Sequence, residues 1–420
     1  MTIDRSTKGL AQNTAFVLVA EMIVQVTRAA TIFVLADIFD KAEFGRYVGI
    51  LGLLTLLGPL SQWGMNHVGV RAVAREVPFA TTWAKVVSAT SVGGLLGTAV
   101  ATGVSALIFD MRTDIVIAFG IAQLVGFNTA QAATMMTEAH HRADVGLRIN
   151  LSGGLVRLAL LGIFYALGYD SVARWAAFLL IGMLAWGALS SWQVARAFGG
   201  RHRLVPPSQA DLRHGIGFVF VQTSSSGQTD IDKIALNAYD LSNDAAVYSP
   251  GYRIAELTTV PLIALVRATY AEFFRRGAST VREAMSFARR LTAIAVGYGV
   301  VAGTALYLCA PLVLIILDEE KYAESVEVIE WLAFIPLAKG LQYFPGNALT
   351  GADHHNVRSW IIFGTAVVNL IGNILFIPSY GWKAAAVTTL IAEMLFAALL
   401  WGAVTVLANR EDDAGNEPTT

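Results

Sequence analysis

Cysteine is nearly absent: Cys309 is the single one in 420 residues. No disulfide framework and no thiolate metal site can be assembled from it. Charge is scarce too. Asp, Glu, Lys and Arg make up 15% of the chain, against about 25% in soluble domains. No polar stretch is long enough to form a separate soluble domain. No Walker sequence is present, so direct use of ATP is excluded. The glycines at 93–97 and at 297, 299 and 303 lie inside apolar runs and read as close helix packing, not as phosphate loops. The N-terminus, MTIDRSTKGLAQN, lacks a small-residue cleavage pattern, so no cleaved signal peptide is expected. The formal net charge of −1 carries no nucleic-acid footprint, and no nucleic-acid partner is expected. Two adjacent pairs, His140–His141 and His354–His355, invite a metal reading. Neighbouring helical side chains diverge by about 100°, and no acidic residue completes a zinc signature. A role in cytoplasmic loops is expected for both pairs.

What the chain has in abundance is apolar length. It is 55% hydrophobic, and apolar runs of about 20 residues, the length of a membrane-crossing helix, recur from end to end. Twelve spans are predicted: 12–36, 44–66, 85–109, 115–137, 149–168, 172–197, 214–238, 245–270, 288–317, 325–349, 357–377 and 384–408. Lys and Arg at and beyond the span ends are unevenly divided. Eighteen fall in the segments that include both termini and six in the alternate set. Basic loops stay in the cytoplasm, so both termini are predicted there.

The chain contains an internal echo. An offset of 201 places Leu35 on Leu236, Glu43 on Asp244 and Tyr47 on Tyr248, and EAHHRADVGLR (138–148) resembles GADHHNVRSW (351–360). Two six-helix halves of the same topology are expected. They are an N-terminal lobe at 1–198 and a C-terminal lobe at 214–408. A basic linker with a Pro-Pro pair joins them at 199–213, and a polar cytoplasmic tail follows at 409–420. The predicted fold class is an all-α integral membrane protein, with about twelve transmembrane helices in two six-helix lobes.

Polar residues inside the spans are expensive and mark paths for substrates and ions. The first span carries Glu21, Gln25 and Arg28 on one helix face. Arg28 is the best single candidate for an anion, because a guanidinium makes bidentate contacts to phosphate oxygens. The alternative is a Glu21–Arg28 ion pair that locks two helices. The seventh span carries Gln222, Ser226, Thr229 and Lys233, with Asp230 and Asp232 alongside. Lys233 would bind the anion from the opposite lobe, and Asp230 or Asp232 a coupling cation or proton. The alternative is that 230–233 is solvated at the outer end of the helix. The eighth span holds Tyr248, Tyr252, Arg253 and Glu256. Arg253 and Glu256 can pair across one turn. The tyrosines either stack on sugar rings or form an interfacial belt. Arg157 is expected to snorkel to the cytoplasmic surface. Gln62, Asn66, Gln123, Asn128, Gln131, Lys339, Gln342 and Asn347 line a cavity or bond between helices. Asn369 and Asn373 read as helix packing. Glu393 carries a proton or pairs with Lys383 or Lys339.

Four stretches resemble the polysaccharide flippases of the multidrug/oligosaccharidyl-lipid/polysaccharide (MOP) exporter superfamily, the O-antigen and capsule repeat-unit flippases related to lipid II flippases and to multidrug and toxic compound extrusion (MATE) exporters. They are NTAFVLVAEMIVQVTRAATIFVLADIFDKAEFGRYVGI (13–50), TDIDKIALNAYDLSNDAAVYSPGYRIAEL (229–257), FPGNALTGADHHN (344–356) and IPSYGWKAAAVTTLIAE (377–393). The resemblance implies a transporter, not an enzyme, in the bacterial inner (cytoplasmic) membrane. It implies two six-helix lobes around a central cavity and alternating access, with an undecaprenyl-pyrophosphate-linked oligosaccharide as cargo. Arg28, Lys233, Arg253, Gln25 and Tyr252 are then the expected substrate contacts. Asp232, Asp230, Glu21 and Glu256 are the expected ion-coupling groups. No cofactor or metal is expected; coupling to H+ or Na+ is the expected drive. Expected partners are the lipid-linked cargo, membrane lipids, and the glycosyltransferases and polymerase of the same pathway. A cation-coupled multidrug exporter of the same fold is the alternative. A membrane glycosyltransferase or polymerase is disfavoured, because the outer loops are too short for its acceptor and catalytic groups.

Overall fold

A computed structural model describes residues 3–74, 77–109, 111–199 and 205–415, without the side chains of 3–18, 20, 21, 73, 74 and 412–415. Among the described residues every regular element is a helix. The packing divides the chain into two compact units, Met1–Ala246 and Val247–Thr420.

Unit 1 holds α1 (Ile3–Ile38), α2 (Lys41–Gln62), α3 (Met65–Ala74), α4 (Phe79–Ile108), α5 (Thr113–Gly120), α6 (Asn128–Ala139), α7 (Ala143–Ala166), α8 (Val172–Phe198) and α9 (Gln209–Ala238). A π-helical stretch, Ile121–Phe127, joins α5 to α6 in one continuous path. The helix ends are written in the sequence. Asp40 caps α2 by accepting from Ala42 N at 3.1 Å. Ser208 and Asp211 form a capping box at α9. Trp63 (φ 52°) and Gly64 (φ 65°) reverse the chain after α2. The core is aromatic. Phe39, Tyr47, Phe119, Phe164 and Trp175 pack edge-on or tilted, and Trp175 Nε1 donates to the Tyr47 hydroxyl at 3.3 Å.

The helix expected to open the second lobe, α9, packs along α2 inside unit 1. The division falls in α10 (Ser242–Leu257), after the boundary expected at 199–213. The two hairpin ends matched by the 201-residue offset meet there. Asn237 Nδ2 donates to Gly45 O at 3.0 Å, and Ser242 Oγ donates to Asn237 Oδ1 at 3.0 Å.

Unit 2 continues from α10 through α11 (Val260–Gly277) and α12 (Val281–Cys309), which ends in a 3₁₀ turn at Ala310–Ile315. The short α13 (Glu319–Tyr322) and α14 (Glu324–Leu332) follow, then α15 (Ile335–Gly351), α16 (His355–Tyr380) and α17 (Trp382–Gly415). Its core is formed where α15 packs against α12, α17 and α11, and where α16 packs on α17. Tyr248, the residue matched to Tyr47, is likewise fully buried, with its hydroxyl 3.5 Å from Thr389 Oγ1.

The fold is that of an all-α multi-pass membrane protein. Eight helices or continuous helical paths among the described residues are long and apolar enough to span a membrane, and α10 with α11 makes a ninth, bent by 42°. Two more segments, α9 and the α14–α15 pair, stand at expected spans but fall short of that measure, and α1 stands at the first expected span. Two expected continuous spans are broken. The eighth breaks between Leu257 and Val260, and the tenth between Leu332 and Ile335, each with a proline (Pro261, Pro336) in the first turn after the break. Proline lacks the N–H that a continuing helix requires, but suits a first turn.

Candidate functional site

Polar groups gather in two places in unit 1. The first is a pocket where α1, α7 and α8 meet the end of the π-helical stretch. Arg28 and Arg157 both line it, with Thr27, Phe127, Asn150 and Trp186. Gly154 lets α7 approach Ile23 and Thr27 of α1, and Gly153 makes room for the Trp186 ring of α8. The Arg28 guanidinium lies 5.1 Å over the Phe127 ring, a favourable cation–π placement. The Trp186 indole is held by a 2.9 Å bond from Nε1 to Ile149 O. The Asn150 Oδ1 atom is buried and accepts no hydrogen bond. The cavity is about 10 Å³, room for about one water. Cargo would have to open it by separating α1 from α7. Arg157, expected to reach toward the cytoplasmic surface, lines the same pocket as Arg28, 129 residues earlier. Two guanidiniums lining one pocket can bind the oxygens of a phosphate or pyrophosphate bidentately. Gln25 lies on α1 one turn before Arg28 and is partly buried. The Glu21 side chain lies outside the described residues.

The second place is one turn of α9. Lys233 Nζ donates to Asp230 Oδ1 at 2.8 Å and to Thr229 O at 2.9 Å, and lies 3.7 Å from Asp232 Oδ1. Asp232 Oδ1 also accepts from Lys233 N at 2.7 Å. Lys233 is 5% exposed and Asp232 1%. The solvated, snorkelling alternative does not hold: this is a buried cluster of two carboxylates around one ammonium. Buried charges persist when they are paired in this way.

In unit 2, Arg253 Nη1 bonds Glu256 Oε2 at 2.5 Å across one turn of α10, as the spacing predicts. Tyr252 is buried against Tyr248, ring centroids 5.8 Å apart. Neither tyrosine sits in an exposed belt. A further cluster joins residues the sequence left apart. Lys339 Nζ donates to Glu393 Oε1 at 2.6 Å, and Gln342 Nε2 donates to Glu393 Oε2. Tyr343 stands one turn from Lys339 on α15. Lys383, the other partner considered for Glu393, pairs with Glu327 at 2.9 Å instead. Asn369, Asn373 and Thr388 form a chain of 2.7 Å and 2.6 Å bonds between α16 and α17, the packing role expected of the asparagines. The breaks at Pro261 and Pro336 were the available signal for this region, because broken spans gather around binding sites.

Among the described residues no group of three His, Cys, Asp or Glu side chains could hold a metal. His140 packs between Phe79 and Phe198 at 4.9 and 5.0 Å. Burial pushes its pKa below the usual value, and the neighbouring His141 adds to the shift.

Residues 10–273 match a family model described as "Polysaccharide biosynthesis protein". No curated protein matches the sequence. Solved structures are similar over almost the whole chain. An inward-facing multidrug resistance MATE family transporter of the MOP superfamily is 16% identical, with TM-score 0.75, covering 91% of this chain and 94% of its own. The outward-facing form of such a transporter is 14% identical, with TM-score 0.65, covering 95% and 96%. A MOP superfamily transporter from Pyrococcus furiosus, described as having a binding pocket of reverse polarity, is 14% identical, with TM-score 0.66 and the same coverage.

Proposed function

The chain belongs to the polysaccharide biosynthesis protein family, and from that footing we propose that it flips undecaprenyl-pyrophosphate-linked oligosaccharide repeat units from the cytoplasmic to the outer leaflet of the bacterial inner membrane. That it is a membrane transporter follows from the family and the MOP-type fold together. The observation that supports the finer reading is that Arg28 of α1 and Arg157 of α7 line one pocket. A pyrophosphate presents several anionic oxygens on two linked centres. Two guanidiniums match it better than any neutral wall, and they repel the cationic compounds a drug exporter would carry. The sugar headgroup would cross through the protein while the polyprenyl tail stays in lipid. Both termini would face the cytoplasm. Gln25 and Tyr252 would contact cargo secondarily, and Lys233 and Arg253 would do so only after releasing Asp230 and Glu256. Those carboxylates, with Asp232 and Glu21, would then be placed to take up H+ or Na+.

The test is reconstitution. Purified protein in proteoliposomes is given a labelled lipid-linked oligosaccharide, with and without H+ or Na+ gradients, and accessibility in the far leaflet is followed. Charged hydrogen bonds are worth about 1.5–3 kcal/mol each, so Arg28→Ala and Arg157→Ala should each weaken cargo binding roughly tenfold to a hundredfold. Full polysaccharide export in cells by Arg28→Ala, with the protein in the membrane at normal level, would sink the assignment.

A further inference from the structure

Glu393 lies inside the apolar span of α17, and its side chain is 1% exposed. Each oxygen receives one donor, Lys339 on Oε1 and Gln342 on Oε2. Both donors stand on α15, one turn apart. The two charges differ in access. The Lys339 side chain is 20% exposed, and its partner is almost wholly covered. An anion arriving at unit 2 therefore meets the ammonium first and competes with Glu393 for it. Two anions at one ammonium in a low-dielectric site repel each other strongly. A protonated Glu393 does not compete. Its hydroxyl becomes a donor, while its other oxygen still accepts from Gln342.

We propose that Glu393 is a proton-binding site linked to an anion site on Lys339: a proton adds to the Glu393 carboxylate as a phosphate-type anion takes that carboxylate's place against Lys339 Nζ. One O–H bond forms, one ion pair is exchanged for another, and no bond of the anion is made or broken. The inference rests on reading the chain as a carrier of a pyrophosphate-linked cargo, and it assigns the coupling proton to a residue outside the α9 and α10 carboxylates. By reciprocity the anion raises the proton affinity by the same factor that the proton raises the anion affinity. The charged neighbours leave Glu393 as the group that must neutralise. On α15 the charged one is Lys339, with the neutral phenol of Tyr343 beside it. On α10 Glu256 is within electrostatic reach of Lys339 but is held by Arg253. From α16 the neutral Asn373 reaches α17 through Thr388. Toward the ends of α17, Lys383 is paired with Glu327 of α14, and Glu411 accepts from Val281 N of α12.

Pyrophosphate binding is measured on the full-length protein in nanodiscs from acid to alkaline pH. The affinity of wild type should fall as pH rises, by up to about tenfold per pH unit relative to Glu393→Gln. The anion's own titration is common to both proteins and cancels in the ratio. Lys339→Gln should bind weakly, with the ratio flat. Identical pH profiles for wild type and Glu393→Gln would overturn the proposal. Should Glu393→Gln not fold, sulfate, whose charge is fixed over this range, is titrated into weakly buffered wild-type protein. Net proton uptake on saturation is expected, and none would overturn the proposal. Failure here leaves lipid-linked sugar flipping by wild type intact as a separate measurement. Absence of flipping with the linkage present would overturn the cargo and keep the site.

Discussion

Replacing Gly45 by alanine tests how closely the two matched hairpin ends are joined. A β-carbon built at Gly45 would stand 1.7 Å from Ser242 O and 2.6 Å from its carbonyl carbon. Both are backbone atoms, so no side chain can swing aside. Ordinary contact starts near 3.4 Å, so α2 and the start of α10 must separate by roughly the difference, 3.4 − 1.7, about 1.7 Å. That displacement breaks the 3.0 Å bond from Asn237 Nδ2 to Gly45 O, and Asn237 is buried. Overpacking costs about 1–3 kcal/mol, and a buried amide losing a partner about another 1–3 kcal/mol. Gly45→Ala should therefore destabilise by about 2–6 kcal/mol. Gly103 is the control. It lies within α4, with no atom within 4 Å of its virtual β-carbon. Alanine there should stabilise by about 0.8–1 kcal/mol through helix propensity alone. Unfolding of both variants in mixed detergent micelles reads the two signs. A Gly45→Ala protein as stable as wild type would refute the close approach and the clasp drawn from it.

The α9 cluster makes a graded prediction. Lys233→Met leaves two carboxylates, one of them fully buried, with no ammonium between them, and should cost about 3–5 kcal/mol in the same unfolding assay. Asp230→Asn keeps the Lys233–Asp232 contact and should cost clearly less; equal costs would mean the cluster is solvated after all. His140 gives a pH prediction. Its folded pKa lies below the unfolded value of 6.5, so the unfolded chain binds more protons between the two. The stability held by the neutral ring is complete above about pH 6.5 and is lost as pH falls through that value toward the folded pKa. His140→Phe should lose less stability than wild type between about pH 7.5 and 5.5, and an unchanged slope would place the titrating group elsewhere.

Much of the fold is written locally. A run of about 20 apolar residues forms a helix in lipid whatever its neighbours, since every backbone polar group must be satisfied within the segment. Positions of the spans, the cap at Asp40, the capping box at Ser208 and the Arg253–Glu256 pair across one turn all follow from such short-range rules. The prolines at 261 and 336 were equally visible, and the expectation of unbroken spans there gave too little weight to a missing N–H. Even the candidate charges could be picked out by their cost in an apolar chain.

The sequence by itself thus determined that this is a helical membrane protein, where its chain crosses, and which side chains are too costly to be idle. Only the tertiary structure decided how those side chains are partnered. It set Arg157 beside Arg28, joined Lys339 and Gln342 to Glu393, and placed α9 on α2 within the first unit. The reason is physical. Helical spacing reports the face a residue occupies on its own helix, whereas the charge that face meets is set by the azimuth and depth of a second helix. Those depend on small residues and on shapes scattered along the whole contact.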